Sequence, residues 1–161
     1  MVDNDGWEHS DITDICAIHD YTPTAELLRE RYRDKISGGE LPLKVWVGEK
    51  PLFARGSEYR GQPIVLSEVG GFLARPRDVA KEKRDVLYEF YDSFDTTEEF
   101  LQKYRDLMQG IALLRFLSGF CYTQLTDIEQ ETNGLLTYDR QPKVPAEEIA
   151  AIHREFFQVP G

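Results

Sequence analysis

Hydrophobic positions along the chain fall into two rhythms. Steps of three and four mark three amphipathic helices. The first is predicted to open at Thr22-Pro23, a cap residue followed by proline at the first helical position. It then runs through Leu27, Leu28, Arg31, Tyr32 and Ile36 to a glycine stop at Gly38-Gly39. The second opens at Asp95, where Thr96 and Glu99 have capping-box spacing, and lines up Phe100, Tyr104, Leu107, Met108, Ile111 and Leu114. The third begins at Pro145, has Glu147 and Glu148 in its first turn, and carries Ile149, Ile152 and Phe156 on one side. Between these lie short apolar runs, Ile12 to Ile18, Pro63 to Leu66 and Gly119 to Thr123, bounded by Gly, Pro and polar residues. Such runs suit strands covered on both faces, as in a parallel sheet, so the alternating order predicts an α/β fold. Residues 39–62 read as a long loop in which Val45 and Val47 hint at a short strand.

Composition narrows the function. The chain has 161 residues, 41% of them hydrophobic and 12% aromatic, enough for one domain with a core. Its 19 Lys+Arg against 29 Asp+Glu give a net charge of −10. That sign argues against nucleic acid and anionic membrane surfaces as partners, because both recruit cations. No stretch approaches the roughly 18 apolar residues of a membrane span. Cys16 and Cys121 sit in apolar surroundings more than a hundred positions apart, which predicts two core thiols without a disulfide framework or metal-ligand spacing.

Three strand ends carry the candidate chemistry. Pro63-Ile64-Val65-Leu66-Ser67-Glu68-Val69-Gly70-Gly71 is an apolar strand that delivers a carboxylate and then breaks on two glycines. In α/β folds that is where reactive groups stand. Asp14 to Tyr21 ends in the polar cluster His19, Asp20 and Tyr21, which opens on the same rim if the two strands are neighbours. The third end leads from Tyr122 to Asp127, Glu129, Glu131 and Asn133, acids whose spacing matches no EF-hand loop. No metal or other cofactor is expected, although a structural or subsite cation is compatible with these acids.

The fragments NDGWE, TDI…IHDY, PIVLSEVGG, GFCYTQLTDIEQETNGLL and YDRQPK, in this order, resemble the C-terminal half of the catalytic barrel of glycoside hydrolase family 2, the β-galactosidases, β-glucuronidases and β-mannosidases. The resemblance spans residues 4–157. It implies a partial (β/α)8 TIM barrel, strands six to eight with their helices, occupying residues 1–161. It implies that Glu68 is the nucleophile of a retaining mechanism and that Tyr21 holds it by a hydrogen bond. His19, Asp20, Trp7, Tyr122 and Asn133 would then line the sugar site, Tyr122 standing where many members carry a tryptophan.

Retention needs two carboxyl groups roughly 5 to 5.5 Å apart, one attacking the anomeric carbon and one acting as acid, then base. A hydrogen bond from Tyr21 would favour the ionised Glu68. The family's acid/base glutamate belongs to an Asn-Glu pair, and this sequence contains none. A complete barrel also takes about 250 residues. The expectation is therefore a truncated catalytic domain, inactive by itself, whose open strand edges seek the missing half of the barrel or another copy.

β-D-Galactosides are the first-choice substrate, since Leu135 stands where the glucuronidase Asn-x-Lys motif would place its lysine. β-Mannosides stay open. The alternative is a non-catalytic sugar-binding or complementing module in which Trp7, Tyr21, Trp46 and Tyr122 serve as platforms. The compartment is left open, cytoplasmic or periplasmic and secreted.

Overall fold

The computed structural model describes residues 1–45, 48, 50–74 and 92–157. Trp46 and Val47, both singled out above, lie outside the described residues. Three strands form the central layer: β1 (Cys16–Asp20), β2 (Ile64–Gly70) and β5 (Leu117–Thr123). They pair in the order β1-β2-β5, all parallel. A second, separate pair, β3 (Leu73–Ala74) with β4 (Ser93–Phe94), is also parallel. Four helices complete the described chain: α1 (Ala25–Arg31), α2 (Arg33–Ile36), α3 (Thr97–Leu113) and α4 (Ala146–Phe156).

This is a small α/β domain, and it corrects the expected partial TIM barrel. A closing barrel requires each strand to hold a neighbour on both sides. Among the described residues β1 and β5 each pair with β2 alone, so the three-stranded sheet is open. Immediately after β2, Leu73 and Ala74 pair with Ser93 and Phe94 instead of extending that sheet.

The helices follow from local chemistry. Thr96 caps α3 by accepting from Glu99 N, while Glu99 Oε2 accepts from Asp95 N at 2.8 Å. The apolar stripe Phe100, Tyr104, Leu107, Met108 and Ile111 is buried. Gly110 stands in the same helix because α1 crosses there, where a Cβ would meet Ala25 Cα at 2.7 Å. At α1 the cap is Thr24, two residues later than predicted. Thr22 is engaged with the end of β1 instead, its N–H and hydroxyl both donating to Asp20 Oδ1, at 2.9 and 2.5 Å. The predicted single helix also breaks at Tyr32 into α1 and α2.

One apolar cluster joins the layers, with Cys16, Ile18, Ile64, Leu66 and Val69 from the sheet and Leu28, Tyr32, Tyr104, Leu107, Met108 and Ile111 from the helices. Only one of the two cysteines is buried. Cys16 is in the core, where burial raises its thiol to about 12, with Lys35 acting weakly the other way. Cys121 is exposed, because β5 is an edge strand with only partial cover. Among the described residues no helix is long and apolar enough to cross a membrane.

Candidate functional site

The site is assembled where β1 and β2 end. A β-bulge decides its composition. Ile18 pairs with Leu66, but the next residue, His19, pairs with Glu68, so Ser67 is an extra residue in β2. Strict alternation would put Glu68 on the face of Ile64 and Leu66, among the helices. The bulge shifts that alternation by one residue, sends Val69 into the core and frees Glu68 on the other side, the known use of bulges in re-aiming a side chain. On β1 the undisturbed period of two does the sorting. His19 and Tyr21 share the face of Glu68, while Asp20 turns toward the helices.

The result is a carboxylate with two partners on one oxygen. The Tyr21 hydroxyl donates to Glu68 Oε2. His19 Nδ1 lies 3.2 Å from the same Oε2. On the far side of the imidazole, Nε2 lies 3.3 Å from Asp5 Oδ2. Tyr21 and His19 are buried, 5% and 9% exposed, whereas Glu68 keeps about a third of its side chain open to solvent. The carboxylate is thus held from beneath and accessible from above.

Asp5 arrives through the N-terminal segment, which is strapped to β1. His9 is fully buried, its Nε2 donates to the Ala17 carbonyl at 2.7 Å, and its other ring nitrogen lies 3.0 Å from Asp3 Oδ1. The Asn4 amide donates to the Trp7 carbonyl at 2.8 Å and closes the turn that carries Asp5 and Gly6. Trp7 meets His19 edge-on at 5.0 Å between ring centroids, and Lys50 Nζ sits 4.8 Å from the Trp7 ring centre.

Asp5, His19 and Glu68 each bring one ligand atom within 4.8 Å of the others, the one such trio of acids, histidines or cysteines among the described residues. They are the residues that could hold a divalent cation. Such an ion would take one ring nitrogen together with one oxygen from each carboxylate. The acidic loop after β5 gathers no comparable set. Its Asp127 is tied to Lys143 Nζ at 2.6 Å and to the Gly134 N–H at 2.9 Å.

The remaining sequence candidates are held inside the protein. Asp20 is fully buried and accepts from Arg31 Nε at 2.8 Å and the Tyr32 hydroxyl at 2.7 Å as well as from Thr22. Tyr122 lies in an aromatic cluster, edge-on to the Tyr104 ring at 5.1 Å and tilted against Phe72 at 6.4 Å. Burial and the neighbouring Tyr104 push its hydroxyl far above the ordinary tyrosine range, against a smaller opposing effect of the Phe72 backbone. Asn133 is fully buried, its Oδ1 accepting from Gln124 Nε2 at 2.7 Å.

No protein-family model matches the chain, and no curated protein matches it. The functional reading therefore rests on the site itself and on the motifs quoted above. Two participants escaped the sequence reading, Asp5 and Gly6, both inside the NDGWE fragment. An Asn-Asp-Gly turn was the available signal, since it marks a tight bend, but which strand end it folds over is not a local property. The separation of Asp20 from His19 and Tyr21 was available from the two-residue period of a strand.

Proposed function

We propose that this chain carries the nucleophile of a retaining β-glycosidase acting on terminal β-D-galactosides, with Glu68 forming the glycosyl-enzyme. The observation that carries the reading is the hydrogen bond from the buried Tyr21 hydroxyl to a half-open Glu68 carboxylate at a strand end. A donor fixed on one carboxylate oxygen orients the group and leaves the other oxygen free to attack an anomeric carbon. The same pair is what the family 2 motifs imply, and Leu135 in place of a lysine favours a neutral sugar over a glucuronide.

In the forward step the Glu68 carboxylate forms the bond to the anomeric carbon as the aglycone oxygen leaves with the bonding pair. Water later attacks the same carbon and releases Glu68. Departure of an ordinary alkoxide requires a proton from a positioned acid, a contribution of about 10² to 10⁴ in rate. Among the described residues the one other carboxylate in the cluster is Asp5, which faces His19 and is 59% exposed. A tuned acid needs a more secluded place. The chain alone is therefore expected to perform the first step only with leaving groups that need no proton.

That expectation defines the test. A 2-deoxy-2-fluoro-β-galactoside with a dinitrophenolate leaving group should leave a fluorogalactosyl adduct on the Glu68 peptide, seen by mass spectrometry. Glu68→Gln should give none, Tyr21→Phe should label more slowly, and lactose should not be hydrolysed. Absence of the adduct, with saturable galactose binding in both wild type and Glu68→Gln, would replace this reading by the non-catalytic sugar-binding one.

A further inference from the structure

We infer that His19 is a positioning residue for Glu68, donating from Nδ1 to Oε2 and thereby assigning Oε1 as the attacking oxygen. The inference deepens the nucleophile reading of Glu68 and rests on it for its catalytic meaning.

Three observations carry it. The Tyr21 hydroxyl and His19 Nδ1 converge on the same oxygen, Oε2, and among the described residues no donor reaches Oε1. With the Tyr21 hydroxyl bonded to Oε2 and His19 Nδ1 donating to the same atom, the carboxylate would not rotate about its Cγ–Cδ bond without losing both. Its second oxygen is left with a fixed direction and an open lone pair. The donors also stand two residues apart, His19 in β1 and Tyr21 just past its end, so a single backbone segment sets both.

The imidazole itself is seated by the N-terminal segment. Asp5 Oδ2 lies 3.3 Å from Nε2, and Trp7 closes one edge. Gly6, at φ +92°, lies so close that a Cβ there would stand 2.5 Å from His19 Cδ2 and 2.9 Å from Nδ1. Three consecutive residues, Asp5, Gly6 and Trp7, thus form a socket for one ring. Nε2 is buried and has no hydrogen-bond partner among the described residues, so the ring's shorter polar contact is the one from Nδ1 to Glu68.

The test exploits two amides that reproduce one ring nitrogen each. Asparagine places its side-chain nitrogen as many bonds from Cβ as Nδ1, and glutamine as many as Nε2. With the activated fluorogalactoside, His19→Asn should label Glu68 within about threefold of the wild-type rate. His19→Gln and His19→Ala should each be slowed about tenfold or more, the loss expected for one hydrogen bond to a charged group. Thermal melts of the three variants establish that the comparison is between folded chains.

Equal rates for the Asn and Gln variants would reduce His19 to a filler and overturn the inference. An independent measurement covers the case in which wild type itself fails to label and the glycosidase reading falls. In ¹⁵N-edited spectra of the wild-type chain, His19 should show a slowly exchanging Nδ1–H that is lost in Glu68→Ala. A His19 ring protonated at Nε2 alone would refute the hydrogen bond whatever the chain does with sugars.

Discussion

Replacing Asp20 by asparagine changes one oxygen of a fully buried carboxylate into an NH₂ group and removes a charge, at almost constant shape. In the native chain Oδ1 accepts from the Thr22 N–H and hydroxyl, and Oδ2 accepts from Arg31 Nε at 2.8 Å and Tyr32 OH at 2.7 Å. Whichever way the asparagine amide turns, two donors face its NH₂ group. Tyr32 is 1% exposed, and burial together with the Asp20 charge pushes its hydroxyl well above its ordinary range, so it keeps the proton that it donates to Asp20.

Each hydrogen bond to a charged group contributes about 1.5–3 kcal/mol, and breaking a buried pair costs about 3–5 kcal/mol. Arg31 is 19% exposed and recovers some hydration, which places the expected loss near the lower end, about 3–4 kcal/mol. At about 2–4 °C per kcal/mol for a chain of this size, the melting temperature should fall by roughly 6–16 °C. Circular dichroism melts and urea titrations at neutral pH, with an unchanged slope in urea, are the assay. A fall of less than about 3 °C would show that the Asp20 hub is not holding α1 to β1, and the reasoning would fail.

Three further outcomes are expected. Gly70→Ala forces a side chain into φ +94° and against the Tyr122 ring, 2.6 Å from Cδ2. It should lose about 2–5 kcal/mol in urea unfolding from backbone strain and overpacking together, while Gly119→Ala, with open space around its Cβ, serves as the control. Burial raises the Asp3 carboxyl, but hydrogen bonds from the Ser10 side chain, His9, the Ser10 backbone and Thr13 outweigh it and hold it well below the usual range. A carboxyl depressed by folding stabilises above its unfolded value and loses that contribution as pH falls through the folded one. Asp3→Asn should therefore melt lower than wild type at pH 7, and the two curves should converge as pH falls below the ordinary value of 3.8. A thiol reagent at pH 8 should modify Cys121 quickly and Cys16 only after denaturation, since one is exposed and the other is buried with its thiol raised to about 12. Rapid reaction of both in the native chain would contradict the packing of β1.

What the sequence determined by itself was whatever depends on neighbours in the chain. The capping of α3 by Thr96 and its stripe from Phe100 to Ile111 follow from spacing, because a helix closes its hydrogen bonds within four residues. The α/β alternation, and a carboxylate at the end of an apolar strand, were equally local. Tertiary structure decided the rest. Whether the sheet closes or stays open depends on what pairs with the outer sides of β1 and β5, which no local pattern encodes, and the barrel expectation failed there. The bulge at Ser67 is a feature of how β2 registers with its neighbours, and it turns Glu68 to the face of His19. Asp20 lies between His19 and Tyr21 in sequence yet belongs to the helix layer, because Arg31 and Tyr32 wait on that face. Asp5 and Gly6 joined the site from fourteen and thirteen residues before His19, brought there by a strap whose anchor is a buried histidine bonded to the Ala17 carbonyl.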